Sequence, residues 1–343
     1  MTEFRKGQAM IKVFEGTTAD EVWRMAAAEL LQGNSTRYQD GRGGSTQELL
    51  HAAFTIQDPR QRWVMARQPA LNPAFAIAEV VWILCGRRDS DFLNYWNSQL
   101  PKFAGSGQVY HGAYGFRLRH QFGIDQLERA YQALRHNPDG RQVVLQIWDP
   151  EADFPDTRGR PVNPDIPCSI SSLLKIRDGK LEWMQIIRSN DLFRGVPYNF
   201  IQFTSMQEVL AGWLGIELGS YNQFSDSLHL YDGDADLLHI GVSGGVERNG
   251  DSLGLPKEES DAVLARVDHL IETMATPNLS QGDLRALPTE SGIPHAFQNL
   301  LLVVAAEAAR RRGWLALAQS LMDDCSNSVL THAWKNWFTR FRS

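Results

Sequence analysis

Between Asn72 and Gly86 the sequence reads Asn-Pro-Ala-Phe-Ala-Ile-Ala-Glu-Val-Val-Trp-Ile-Leu-Cys-Gly, and this run constrains the fold most. Asn72 and Pro73 supply a helix cap and a first-turn proline, and Gly86 supplies a stop. A helix over Ala74 to Leu84 is apolar nearly all round, so other elements must enclose it on every side. Glu79 lies inside it. An ionised carboxylate among Phe75, Ile77, Ala78, Val80, Val81 and Leu84 is costly to bury, so it has to be paired, hydrogen-bonded or protonated.

The other elements follow from period and punctuation. A helix is predicted from Thr18 to Gln32, with Val22, Met25, Ala26, Leu30 and Leu31 at helical spacing. The glycine-rich stretch Gly33 to Thr46 then reads as a mobile loop carrying Arg42. An amphipathic helix spans Ile124 to Leu134. Strands are predicted at Gln142 to Trp148, Ser169 to Ile176 and Leu181 to Ile187, the last two joined by Asp178-Gly179, a hairpin signal. A long helix covers Phe200 to Leu214, and an extended segment covers Ser220 to Tyr231. After Asp232 a loop-rich stretch gives way to helical patterns at Ala262 to Met274 and Phe297 to Leu321. The whole predicts an α+β fold: a mixed sheet with flanking helices over residues 1–235, and an appended, mainly helical region over 236–343 packed on it. There is no repeat and no glycine fingerprint for a dinucleotide.

Charge and cysteine usage exclude several functions. Thirty-four Lys and Arg against 40 Asp and Glu give a net charge of -6, the wrong sign for coating a nucleic acid polymer. Cys85, Cys168 and Cys325 are odd in number and far apart, which argues against a disulfide framework and against a metal site. The segment Met1 to Phe14 lacks the form of a signal peptide, and Leu300 to Ala306 is far too short for a membrane span of roughly 20 residues. A cytoplasmic protein is expected.

Chemistry concentrates in a few places. Cys168 follows Pro167 at a strand entrance, where a nearby cation such as Arg188 would favour the thiolate. Arg188-Ser-Asn-Asp-Leu-Phe-Arg-Gly-Val-Pro-Tyr-Asn199 delivers a guanidinium and a hydroxyl suited to a phosphate, then an amide able to read a pyrimidine edge. His229 and Tyr231 share one face of an extended segment and suit a sugar hydroxyl.

Pro167-Cys168, Arg188-Ser189, Asp191, Gly195, Pro197 to Asn199 and His229-Leu-Tyr231 together resemble the thymidylate synthase family, which includes pyrimidine-nucleotide hydroxymethylases. The likeness extends to Gly41-Arg-Gly-Gly-Ser-Thr46, the Glu79 helix, Ala113-Tyr114-Gly115 with Arg119, and Asp139-Gly-Arg141, covering roughly residues 20 to 235. The resemblance implies a Cys168 nucleophile adding to C6 of dUMP, with 5,10-methylenetetrahydrofolate as co-substrate and dTMP as product. It further implies that Glu79 anchors a proton-transfer network, that Tyr114 helps place the water that removes the C5 proton, and that Asn199 binds the N3 and O4 edge. Arg42, Arg188 and Ser189 would hold the 5′-phosphate, joined by Arg141 from the other subunit of a homodimer. His229 and Tyr231 would hold the 3′-hydroxyl, and Asp191 the pterin.

Four features depart from that pattern. Ser169 stands where most synthases carry a histidine, and Gln142 where they carry a second arginine. The stretch Asn97 to Tyr110 has no tryptophan, and the tail ending Trp337-Phe-Thr-Arg-Phe-Arg-Ser343 lacks the family's closing segment. Hydride transfer needs a dry, closed site, so these departures open an alternative: water quenches the methylene intermediate and the product is 5-hydroxymethyl-dUMP. Arg194, where synthases carry an apolar residue, is expected to reinforce the phosphate clamp. A second alternative is a non-catalytic nucleotide-binding homologue, and a thiol hydrolase built on Cys168 is a weaker third, since no histidine lies near it in the sequence.

Overall fold

The computed structural model describes residues 11–33, 35–41, 43–240 and 248–341. Seven strands make the main sheet: β1 Lys12–Gly16, β2 Arg37–Gly41, β3 Gly44–Ile56, β4 Val143–Gln146, β5 Ser169–Arg177, β6 Lys180–Asp191 and β7 Glu217–Tyr231. Their order is β1-β3-β7-β6-β5-β4, with β2 paired to β3. The β1/β3 and β6/β7 pairs are parallel and the rest antiparallel, so the sheet is mixed as expected. Asp178 and Gly179 both adopt positive φ (50° and 72°), which matches the right-handed twist of the β5/β6 hairpin.

The principal helices are α1 Ala19–Gln32, α2 Pro73–Leu84, α3 Gln126–His136, α4 Val196–Leu214, α5 Lys257–Met274, α6 His295–Arg311, α7 Leu315–Asp323 and α8 Ser328–Thr339. Helix α2 starts as read: the Asn72 side chain accepts from the Phe75 N–H at 3.1 Å, and Pro73 occupies the first turn. It lies between α4 on one side and α5, α6 and α8 on others, so the appended helices supply its enclosure. All its residues except Glu79 are buried.

Three expectations needed correction. Gly33 to Thr46 is not a loop throughout: most of it forms the β2 strand and the start of β3, antiparallel to each other. Every β2 residue is exposed, so no apolar alternation marks it. Helix α4 begins at Val196 rather than Phe200, because Pro197 sits in its first turn instead of preceding it. The helical pattern Phe297 to Leu321 is two helices, broken at Gly313, whose φ is 77°.

Candidate active site

The nucleophile candidate is placed by the sheet. Cys168 immediately precedes β5, and its carbonyl accepts from the Arg188 N–H at 2.9 Å, which extends the β5/β6 ladder by one rung. The Arg188 side chain turns back to the same segment: Nε donates to the Pro167 carbonyl at 3.0 Å and a terminal nitrogen to Ile166 at 3.3 Å. The guanidinium is thereby fixed against the backbone just ahead of the half-buried Cys168. Ser189 pairs with Ser227, and Asp191 with His229, in the parallel β6/β7 register.

Tyr114 reaches the same place from another direction. Gly115 lies so close to the end of α2 that a Cβ would fall 2.2 Å from the Ile83 carbonyl oxygen, so only glycine permits the contact. The Tyr114 ring stacks on Phe203 of α4, centroids 6.0 Å apart. Burial pushes its phenol well above the ordinary range, and the Cys168 charge adds to this. The position after the cysteine is a fully buried serine close to the phenol.

Asn199 lies in the first turn of α4, its N–H held by the Gly195 carbonyl at 2.9 Å. A Cβ on Gly195 would meet Asn190 Oδ1 at 3.0 Å and the Asp191 carbonyl at 3.1 Å, so the turn that aims Asn199 needs its glycine. Asn199 Nδ2 donates to Gln202 Oε1 at 3.2 Å, and Gln202 Nε2 donates to Glu79 Oε2 at 2.7 Å. The Glu79 carboxyl thus has an amide for a neighbour and, among the described residues, no paired cation. Burial drives its pKa up to about 7, with the Gln202 bond pulling modestly the other way. The sequence reading missed Gln202. Its signal was a polar residue one helical turn after Asn199 within a helix otherwise rich in large apolar side chains.

At the opposite end, His229 and Tyr231 project from β7 with rings 5.4 Å apart and perpendicular. The turn between β2 and β3 packs on them: a Cβ on Gly43 would meet the Tyr231 ring at 3.0 Å. Arg42, between those glycines, lies outside the described residues. Asp191 Oδ1 accepts both the Phe193 and Arg194 N–H, at 2.8 and 2.9 Å; burial nevertheless raises its pKa.

Two expected members are not brought into this cluster within one chain. Arg141 is exposed, just before β4, whose Val143 pairs with Leu174 and whose Gln146 pairs with Ser171. That register puts Arg141 toward the far end of β5, roughly 25 Å along the strand from Cys168. Arg194 is already engaged, bound to Asp234 at 2.8 Å with its guanidinium over Phe103 and Tyr231. Arg340, at the end of α8, donates to the Ala70 carbonyl at 2.9 Å and lies close to Tyr198.

Among the described residues no group of three or more His, Cys, Asp or Glu could hold a metal, and no helix is long and apolar enough to cross a membrane. The chain is 36% identical over 203 residues to a deoxyuridylate hydroxymethyltransferase of Bacillus phage SP01, covering 55% of this chain and 51% of that protein. A deoxyuridylate hydroxymethyltransferase of Pseudomonas phage M6 is 35% identical over 176 residues, 51% and 49% of the two chains. A thymidylate synthase of Clostridium beijerinckii is 26% identical over 186 residues, 53% and 65%. The chain therefore spans about half the length of the phage relatives it matches. Residues 27–260 match the thymidylate synthase family model, and on that match the chain belongs to the thymidylate synthase family.

Proposed function

We propose that this chain transfers a one-carbon unit to C5 of dUMP and that water completes the reaction, giving 5-hydroxymethyl-dUMP. The observation that carries the transfer is the joining of Cys168 to Arg188 across one sheet rung, beside Tyr114, while Asn199 connects through Gln202 to Glu79. In this reading the thiol, the cation of Arg188, the Asn199 amide and a Glu79 carboxyl poised near neutrality serve one pyrimidine nucleotide.

In this reading the Cys168 thiolate adds to C6 of the pyrimidine, and electron density moves to C5 and O4. Arg188 and Ser189 hold the 5′-phosphate with Arg42, and Arg141 of a second copy completes that clamp in a homodimer. His229 and Tyr231 hold the sugar. Glu79 passes protons at O4 through its amide and water neighbours. Methylenetetrahydrofolate, when bound, supplies a methylene at the oxidation level of formaldehyde. Asp191 suits a pterin N–H, since both backbone donors fall on Oδ1 and Oδ2 remains for it. After C5 has taken the methylene, Tyr114 positions the water that removes the C5 proton. Loss of that proton breaks the methylene's bond to the folate nitrogen and expels tetrahydrofolate, leaving an exocyclic methylene; water adds its hydroxide there, the electrons return through C5, and the C6–sulfur bond breaks to free Cys168. We take residues 1–235 as the catalytic unit, in the cytoplasm, with 236–343 as its support.

Two features support water over hydride: the names of the phage relatives and the small Ser169 at the phenol. The second reading is methylation, in which tetrahydrofolate gives the hydride and leaves as dihydrofolate. A mixture of dUMP and methylenetetrahydrofolate separates them. Nucleotide gaining CH2O with no dihydrofolate absorbance is expected, and stoichiometric dihydrofolate would replace it with methylation. Trapping with 5-fluoro-dUMP and the folate should give a covalent adduct that Cys168→Ser loses; an adduct that survives in that variant, or none in the wild type, would sink the covalent mechanism.

A further inference from the structure

We propose that Gln202, whose amide is spent on Glu79 and Asn199, sets the choice of uracil over cytosine by fixing which way the Asn199 amide faces. A carboxamide is two-faced: turned over, its donor and acceptor exchange places with almost no change of shape. Asn199 alone therefore cannot say which pyrimidine it accepts. The chain behind it can.

Ionised Glu79 is an acceptor only. It takes the Gln202 amino group at 2.7 Å, so Gln202 must turn its carbonyl oxygen the other way, onto Asn199. Asn199 answers with its own amino group at 3.2 Å. Both amides are buried, 7% exposed for Asn199 and 6% for Gln202, so water cannot substitute for a lost partner at low cost. Residues 199 and 202 lie one turn apart on the same face of α4, which keeps the two amides adjacent. Asn199 is left with its carbonyl oxygen and its second amide hydrogen for a ligand. Uracil offers N3–H and O4, a donor and an acceptor that fit both. Cytosine offers N3 and a 4-amino group, an acceptor and a donor that clash with both.

Gln202 is thus a positioning residue, and its effect rests on the uracil-nucleotide reading. The experiment uses the full-length protein with dUMP and dCMP as probes, measuring kcat/KM and Kd for each in wild type, Gln202→Met and Gln202→Lys. Methionine keeps the volume but lets the Asn199 amide turn, so the preference for dUMP over dCMP should fall by about 100-fold. Lysine donates to Glu79 and to Asn199 alike, which forces the Asn199 oxygen inward and should reverse the preference. It also leaves a paired cation on Glu79, so it remains informative if the methionine variant unfolds. A residue with only a structural role would weaken both nucleotides in step; a dUMP/dCMP ratio equal to the wild type in either folded variant overturns the inference. Failure of the wild type to turn over dUMP overturns the functional reading instead, so the two failures are distinguishable.

Discussion

Glu79 and Glu208 are both helical glutamates enclosed by apolar side chains, one facing the start of α4 and the other carried on its second half, and their surroundings treat them in opposite ways. Glu208 is 1% exposed, bonded to Arg62 and, at 2.9 Å, to Arg60; Ser252 adds a bond at 3.2 Å. Burial pulls its pKa upward, but the two guanidiniums outweigh it and leave the carboxyl below its ordinary range. Glu307 of α6, itself fully buried, is likewise met by two guanidiniums, those of Arg310 and Arg311. Glu79 is hydrogen-bonded to Gln202, and among the described residues no cation is paired with it. The protein evidently builds cations against buried carboxylates where it needs structure. A carboxyl left without one is kept near its protonation midpoint, which is a cost in stability and a resource in catalysis.

Removing the cation from the structural member tests this contrast most severely. Arg62→Met should destabilise the fold by about 3–5 kcal/mol, because Glu208 is then a buried charge short of its main partner. Activity per folded molecule should stay as in the wild type. Urea melts together with active-site titration would show it, and a variant of undiminished stability would place Glu208 in the same class as Glu79.

Removing the charge from the other member should do the reverse. Glu79→Gln should lower kcat by about 10²–10⁴-fold and erase a kcat/KM inflection near pH 7. Its effect on stability has a definite sign. The folded state holds the Glu79 proton more tightly, at about 7 against an ordinary 4.5, so wild-type stability declines as pH rises through that window. Above pH 7 the variant should be more stable than the wild type by up to about 3 kcal/mol, converging with it near pH 4.5. Parallel melting curves at pH 4.5 and 8 would remove the distinction between the two glutamates.

The mildest expectation concerns an arginine that is 44% exposed although its partner, Asp234, is buried. Arg194→Ala leaves that carboxylate short of its cation and should destabilise the fold by about 1–3 kcal/mol, water reaching the half-open site. It should also change dUMP affinity less than tenfold, since the guanidinium is committed elsewhere. A larger loss in a calorimetric titration would restore this residue to the phosphate clamp.

The sequence was most readable where one local rule sufficed. The α2 helix carries its cap, its proline and its stop, and Asp178-Gly179 leaves few alternatives to a hairpin. Cys168 and Asn199 stood out as motif residues next to element boundaries, and Arg188, His229 and Tyr231 as motif residues on strands. What escaped depends on distant partners. Strand β2 has no buried face, so its place is set by pairing with β3. Gln202 gains meaning only when α2 and α4 come together. The opposite treatment of Glu79 and Glu208 could not be read from either helix, because Arg62 and Arg60 arrive from a loop far upstream of α4.

The encasement of α2 also bears on how the polypeptide acquires its shape. A segment greasy on every side finds half of its cover only in α5, α6 and α8, far later in the sequence. During synthesis it emerges well before that cover exists, so the nascent chain carries a sticky surface for many seconds at ordinary translation speeds. Such a protein depends on chaperone shelter more than its final stability would indicate, and its solubility in a host cell should respond to holdase levels and growth temperature.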